Sequence, residues 1–339
     1  MNQKMMSEDP LVSFCIKCYN QADLIVSALE AAFAQTYRPL EIVISDDCST
    51  DGSVDVIERM IAEYRAKGGD IPIVFLRQAE NQGNLGNWQR ICEVAKGELL
   101  IKADGDDISH PDRAKEVVRA WMEKENRPLI VYHGAEKIDG KGRCFSLCKK
   151  NVLDYGPVGA VSAYSRRLFE AFGDVAIADR LAGDDTVYAG RARILGGSIL
   201  WVDKVLLKYR VGSGVSSGIM GYRAFMARGA RAGLLARQQT LLDLESCKVP
   251  LSEERKNAIR LELRKEMATI ENQIQLWQGA SFNERLAAFK ELKPTIRGPV
   301  QQVIHRLLLL GRFSDPVFEF LLRIRYLKGI VVTKIRSHA

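Results

Sequence analysis

Four short apolar runs, each followed by a polar turn and then by helix-patterned chain, constrain the fold of this 339-residue chain more than any other feature. The runs are Leu11 to Ile16, Leu40 to Ile44, Ile73 to Leu76 and Leu99 to Ile101. Between them, helical spacing covers about Leu24 to Gln35 (Leu24, Ala28, Ala31 and Ala32), Val54 to Lys67, and Trp88 to Ala95. Pro39 breaks the chain before the second run, and Gly68-Gly69 ends the helix before the third. Strands separated by helices at this pitch predict βαβ units and a mostly parallel sheet flanked by helices. Right-handed crossovers bring successive strand ends to one edge. The polar loops after the first, second and fourth runs are therefore expected to line one crevice.

The fourth run delivers Lys102-Ala103-Asp104-Gly105-Asp106-Asp107, read as the loop behind a buried strand. Carboxylates this close repel one another, and a fold tolerates them when they are fully solvated or when a positive charge sits among them. Their position at the carboxyl end of a parallel strand favours a ligand site over a surface turn. The glycine fingerprint G-x-G-x-x-G is absent after the first run, which argues against a nicotinamide-type enzyme. A diphosphate can instead be handled by a divalent cation held on carboxylates, and Asp104, Asp106 and Asp107 offer hard oxygens suited to Mg²⁺ or Mn²⁺. Asp46 and Asp47, after the second run, have two readings. They accept hydrogen bonds from a base or ribose, or they form an Asx turn with Ser49 and Thr50 capping the next helix. Asp51 is read as a cap alone.

Composition narrows the class. At 47% apolar and 27% charged, the chain is ordinary for a globular protein. Its length predicts a catalytic-sized domain plus an appendage. The polar stretch Met1 to Pro10 does not read as a signal peptide, and no apolar run approaches the roughly 18 residues that span a bilayer. A cytoplasmic location with reduced cysteines is expected. Cys15 and Cys18 form a C-x-x-C, but residues three apart on a strand face opposite sides, which argues against their sharing a metal.

The motifs, taken in order, resemble glycosyltransferase family 2 enzymes of the bacterial surface-polysaccharide type, with the GT-A (Rossmann-like) fold, over roughly Leu11 to Ser217. Five stretches carry the resemblance: Phe14-Cys15-Ile16-Lys17-Cys18-Tyr19-Asn20; Asp46 to Ser53, a complete D-D-x-S-x-D-G-S; Asn81-Gln82-Gly83; Ala95-Lys96-Gly97-Glu98; and Asp104-Gly105-Asp106-Asp107 with Pro111 and Arg113. The resemblance implies that Asp47 contacts the nucleobase or ribose and that Asp104 and Asp106 serve ribose and metal. It also implies donor contacts from Cys18, Asn20, Asn81 and Gly83. Cys18 stands where the family usually has Thr or Ser. Asn87 and Trp88 stand where many members have Ala-Arg.

Downstream, Pro128 to Val131 reads as a strand, Asp139 to Gly142 as a hairpin turn, and Ser198 to Val202 and Val205 to Tyr209 as two further strands. The stretch from Gly156 to Phe169 resembles the family's acceptor-side segment. Asp184-Asp185, before a helix over Val187 to Ile194, matches the family's E-D with Asp in place of Glu. One of these carboxylates serves the family as catalytic base. Displacement at an anomeric carbon needs a group that takes the acceptor hydroxyl's proton, which points to Asp185 as base and Asp184 as its positioning neighbour. A helix N-terminus is expected to lower the pKa of such a carboxylate. Tyr209 to Ser217 resembles the family's Y-R-x-H-x-x-x-x-S loop without its His, which leaves Arg210 as phosphate contact or as partner of a structural carboxylate.

The implied division is a catalytic domain over residues 1–218 and a helical, basic region over 219–339. In the latter, Leu234 to Ile274 carry helical spacing suited to core or self-association, including a homo-oligomer. Eight Lys and Arg against two acids between Arg297 and Arg336 suit an anionic membrane surface, with packing on the catalytic domain as the alternative. Nothing interleaves aromatic and basic residues as a nucleic-acid surface does. The expected activity is metal-dependent, inverting transfer from a nucleotide-sugar to a glycan or lipid-linked acceptor in O-antigen- or capsule-like biosynthesis at the inner face of the membrane. A nucleotide-sugar-binding scaffold without turnover is the alternative.

Overall fold

The structure, a computed structural model, describes residues 9–124, 127–148, 159–176, 183–211, 222–278 and 281–292. The basic segment 297–336 and the end of the Tyr209 to Ser217 loop lie outside these residues.

Nine strands form one sheet: β1 Val12–Cys18, β2 Leu40–Asp46, β3 Ile73–Arg77, β4 Leu99–Asp104, β5 Ile108–Ser109, β6 Ile130–Ile138, β7 Cys144–Cys148, β8 Ser162–Ser165 and β9 Ile199–Arg210. Their order is β3-β2-β1-β4-β8-β6-β9-β5, with β7 pairing β6. The stretch β3-β2-β1-β4 is parallel. Beyond β4 the sheet is mixed: β8 is antiparallel to β4 and β6, β7 to β6, and β5 to β9, while β6 and β9 run parallel. The mostly parallel expectation thus holds for the βαβ half alone. In the second half only β6 and β7 are sequential neighbours; β4 with β8 and β5 with β9 pair strands remote in the chain, which local pattern does not register.

The helices α1 Ile25–Phe33, α2 Ser53–Ala66 and α3 Gly83–Val94 alternate with the first four strands, and α4 Arg113–Met122 follows β5. β1 and β2 are buried along their whole length, as central parallel strands are. Alternation gives β1 two different faces. Val12, Phe14, Ile16 and Cys18 join a core with Ile25, Leu29, Ile42, Ile44, Val117 and Trp121. Ser13, Cys15 and Lys17 face the other way. On β4, Leu99, Ile101 and Ala103 share the core face, leaving Leu100, Lys102 and Asp104 opposite. Burying each large aliphatic side chain of this core contributes about 1.5–3 kcal/mol. On the opposite side Trp88 is fully buried, 5.8 Å centroid to centroid from Tyr164, and is therefore core.

Several boundaries differ from the sequence expectation, among them the start of α3, which is Gly83 and not Trp88. The strand preceding the acidic run continues through Asp104, because Lys102, Ala103 and Asp104 keep ladder register with Cys15, Ile16 and Lys17. The two strands expected near Ser198 and Val205 are one strand, β9, whose irregular register beside Gly134 absorbs the polar Asp203-Lys204. The remaining helices of this unit are short α5 Arg167–Glu170 and α6 Asp184–Leu195, which starts three residues earlier than its apolar spacing suggested.

A second compact unit contains α7 Tyr222–Ser246, α8 Glu253–Gln278 and α9 Phe282–Leu292. Glu245 pairs with Arg260 at 2.7 Å, Arg237 with Glu266 at 3.1 Å, and Arg231 donates to Gln278 at 2.8 Å, so α7 and α8 run antiparallel. Ser252 caps α8 by accepting the Arg255 amide. No helix among the described residues is long and apolar enough to cross a membrane.

Candidate active site

After β1 the chain crosses to β2 and β3 on one side. It then returns to β4 on β1's other side. The carboxyl ends of β1 and β4 therefore flank a topological switch point, the position at which open α/β sheets bind ligands. Gly105 closes the turn after β4 by donating its amide to the Lys17 carbonyl at 2.8 Å. A Cβ there would come within 2.8 Å of Ile25 Cδ1, which explains glycine between the two acids.

The loops after β1 and β2 are woven together. Asn20, at φ 51°, accepts the Thr50 amide on its Oδ1 and donates its own amide to Ser49 Oγ, each at 2.8 Å. Asp46 accepts the Ser49 amide (2.8 Å) and hydroxyl (2.5 Å) in a local turn, while the N-cap of α2 is Gly52 and not Ser49 or Thr50. Asp47 accepts the Gln82 amide at 2.7 Å, and its carbonyl accepts from Asn81 Nδ2 at 3.1 Å. Asp47, Asn81 and Gly83 thus stand together at the end of β2 and the start of α3. Asp51 does more than cap: it accepts the Ser53 amide and also the Ala22 amide, joining the two loops.

The Cys18 side chain is buried, with its thiol pushed up to about 12 by burial and by Asp46. The side chain belongs to the core cluster. Alternation predicted that Cys15 and Cys18 would part, but not which of them would face inward. Arg210 donates its amide to Asp107 Oδ1 at 2.8 Å and its guanidinium to the carbonyls of Asp106, Asp139 and Gly140. It ties the acidic turn to the hairpin between β6 and β7.

At the centre, two lysines lie among the carboxylates. Lys17 Nζ is 3.3 Å from Asp104 Oδ1 and 3.6 Å from Asp184 Oδ2, and it donates to Asn84 Oδ1. Lys102 Nζ is 2.8 Å from Asp184 Oδ2 and 4.0 Å from Asp104 Oδ2. Asn84 Nδ2 donates to Asp184 Oδ1 at 3.3 Å. Burial opposes the charge on Asp184, but Lys102 and Lys17 outweigh it and hold the carboxyl at about 2. Asp104 is lowered likewise. Burial works against Lys102 as well, and the surrounding carboxylates outweigh it and raise its pKa.

Asp185 behaves differently. Its Oδ2 accepts the Gly159 amide at 3.2 Å and its Oδ1 accepts the Thr186 amide at 2.8 Å. Burial and the neighbouring Asp184 charge raise its pKa, the reverse of the lowering expected from a helix N-terminus. Low dielectric and like charge exceed the helix dipole here, and a carboxylate with a raised pKa is the better proton acceptor.

The acidic turn fits a divalent cation. Asp107 Oδ2 is buried without a hydrogen-bond partner, and burial with Asp106 and Asp104 raises its carboxyl well above the usual range. Asp104 keeps 26% of its side chain exposed. Among the described residues no three His, Cys, Asp or Glu side chains form a chelating group.

Arg113, quoted in the sequence only as a basic residue after the acidic run, organises the floor. Fully buried, it donates to His133 Nε2 (2.8 Å), Ser109 Oγ (3.0 Å) and the carbonyls of Lys102 (2.7 Å) and Ala160 (3.0 Å). His133 accepts on Nε2, so its proton is on Nδ1, which donates to the Gly134 carbonyl. Burial and Arg113 push the His133 pKa well below 6.5. The roles of Lys17, Lys102, Asn84 and Arg113 went unread in the sequence. The available signal was a lysine at an inward position of each of two buried strands.

Acid sensitivity follows with a definite sign. Below about pH 6.5 the unfolded chain protonates His133 and the folded one does not, so stability falls as pH falls. Asp184 adds a second loss as pH drops from about 3.9 towards 2. Asp107 and Asp185, whose carboxyls are raised, act with the opposite sign, so the His133 contribution is read as a difference: lowering pH from 7.5 to 5 should cost the wild type more urea midpoint than His133→Gln. Equal pH slopes in the two proteins would contradict the assignment.

Residues 13–151 match the family model described as Glycosyl transferase family 2. The succinoglycan biosynthesis protein ExoO of Rhizobium meliloti is 30% identical over 118 residues, 35% of this chain and 32% of that one. Two solved structures share the fold. Staphylococcal (S. aureus) TarS 1-349 in complex with UDP-GlcNAc has a TM-score of 0.57 at 17% identity, covering 84% of this chain and 80% of that one. The mannosyltransferase PcManGT from Pyrobaculum calidifontis, in complex with GDP-Man and Mn²⁺, has a TM-score of 0.57 at 18% identity, covering 98% and 89%. The chain spans less than half the length of the curated relatives it matches, 43% and 47% for the first two. Strand-end acids at a switch point and a GT-A-like sheet agree with this match, so residues 13–151 are similar to glycosyl transferase family 2 domains in sequence and in fold.

Proposed function

We propose that the chain is an inverting, metal-dependent glycosyltransferase that moves a sugar from a nucleoside diphosphate sugar to a glycan or lipid-linked acceptor in surface-polysaccharide biosynthesis. One observation carries the reading: Asp104 at the end of β4 and the Asp184-Asp185 turn are joined through Lys17 and Lys102. A donor-side carboxylate and a proton acceptor thus belong to one rigid network at the switch point. The relative named for succinoglycan biosynthesis supports the pathway class, and the GDP-Man and Mn²⁺ complex supports the donor and metal class. The basic segment 297–336 remains the candidate for peripheral membrane contact.

In this mechanism Asp47, Asn20, Asn81 and Gly83 border the nucleoside, and Asp104 accepts from the ribose. Asp106 and Asp104 would hold Mn²⁺ or Mg²⁺, which supplies positive charge to the departing diphosphate. Asp185 takes the proton of the acceptor hydroxyl as its oxygen bonds to the anomeric carbon. The bond from that carbon to the diphosphate oxygen breaks with its electron pair. Configuration inverts because one displacement occurs.

A thermal-shift screen of nucleoside diphosphate sugars, with and without Mn²⁺ or Mg²⁺, tests the donor site. Saturation at 100 times Kd should add about 2.7 kcal/mol of stability and raise the melting temperature, with the metal enlarging the effect. Metal-independent silence across all donors would remove the site assignment.

A further inference from the structure

The Asp185 carboxylate can act only if it is held still, and one side chain supports it from two directions. Lys102 is 2% exposed and lies on β4, on the face opposite the main core. Its ammonium pairs with Asp184 at 2.8 Å, the residue that opens α6 and precedes Asp185. The same ammonium packs beneath Gly159, so closely that a Cβ on Gly159 would overlap Nζ. The Gly159 amide in turn donates to Asp185 Oδ2 at 3.2 Å. The base's helix and its hydrogen-bond donor thus both rest on one nitrogen. The Lys102 backbone is fixed, because its carbonyl accepts from Arg113 at 2.7 Å and its strand pairs with β1. Lys17 and Asn84 complete the clamp on Asp184 from β1 and α3.

We propose that Lys102 is the positioning residue of the catalytic turn: through Asp184 on one side and Gly159 on the other it fixes the Asp185 carboxylate for proton transfer. The proposal rests on the reading of Asp185 as base. It requires glycine at 159, since any side chain there displaces the ammonium from under the turn. It also accounts for Asp at 184, whose short side chain brings its carboxylate onto a strand-borne ammonium while leaving α6 intact.

Three variants test it: Lys102→Met, Gly159→Ala, and Asp185→Asn as reference. Kinetics use the donor selected by the thermal screen, with water or the natural glycan fraction as acceptor and nucleoside diphosphate release as readout. Lys102→Met and Gly159→Ala should each lower kcat by roughly 100-fold, the scale of a small misplacement of a reacting group, while KM for the donor stays within about threefold. Independently of any substrate, amide hydrogen exchange at Gly159 and Thr186 should accelerate at least tenfold in Lys102→Met while β1 and β2 amides stay protected. Exchange alone decides the matter where no donor turns over.

Should Lys102→Met not fold, the double variant Lys102→Met/Asp184→Asn removes both charges together, a change buried pairs often tolerate. Its kcat should stay low. Full kcat in the folded double variant would mean that Lys102 only balances charge, and would overturn the proposal. So would unchanged kcat in Gly159→Ala, or unchanged exchange at Gly159. If Asp185→Asn keeps full turnover, the base reading itself fails. If it alone loses turnover, the base stands and the positioning role falls.

Discussion

Asp185→Asn is expected to reduce glycosyl transfer by about 10³-fold while leaving donor-induced thermal stabilisation intact. A positioned general base typically contributes 10²–10⁴-fold, so the loss corresponds to about 4 kcal/mol in the barrier. Asparagine keeps the shape and can still accept the Thr186 amide through its oxygen. It cannot take a proton from an acceptor hydroxyl at neutral pH. The donor contacts expected from Asp47 and Asp104 lie at the carboxyl ends of β2 and β4, away from α6, and remain in place. The wild-type rate should climb with pH through a range above the ordinary carboxylate value, because burial and Asp184 raise the Asp185 pKa and only the ionised form is active. The residual rate of the variant should lack that limb. Initial rates over pH 4 to 9 for both proteins, beside donor melting curves, measure this. A scaffold without turnover predicts donor stabilisation and no transfer from the wild type at any pH.

Arg113→Met should lower the unfolding free energy by on the order of 4 kcal/mol, with a melting temperature lower by roughly 10 °C. The guanidinium is fully buried, and burial lowers its pKa to about 10 even though Asp107 and Asp104 favour its charge. Its worth lies in donors that serve four acceptors on separate elements: β6, β5, β4 and the tight turn at Gly159–Val161. Removing it strands those acceptors away from water, each at a cost of about 1–3 kcal/mol before relaxation. Arg113→Lys should recover little, since one ammonium cannot reproduce a planar fork aimed at several partners. Urea unfolding followed by tryptophan fluorescence reads the effect. A loss below about 1 kcal/mol would mean that water replaces the guanidinium.

The legible part of the site follows from local rules. The acids at the ends of β2 and β4 were visible because apolar runs end there and carboxylates begin. Asp185 was singled out by resemblance to the family's E-D pair, with the chemistry's need for a proton acceptor beside it. The balance of charge around that pair was not visible. Lys17 and Lys102 are 85 positions apart in the sequence. They meet only because β1 pairs with β4 in the register that sets Lys17 opposite Asp104. The expected lowering of the Asp185 pKa failed for the same reason. A helix N-terminus is a local feature, whereas burial and the fixed Asp184 charge come from residues brought in by other strands. Asp46 shows a more local case, in which the amide and hydroxyl of Ser49, three residues on, both donate to its carboxylate.

The sequence by itself determined the βαβ half, its strand-end acids and the motif order behind the family match of residues 13–151, because period, turn chemistry and motif order are properties of short segments. The tertiary structure alone decided the mixed second half of the sheet, the inward turn of Cys18 and the neutralisation of Asp184 by Lys17 and Lys102. It also decided that Asp185 keeps a raised pKa. These depend on strand register and on how far each charge is withdrawn from water, and both are set by contacts between residues remote in the chain.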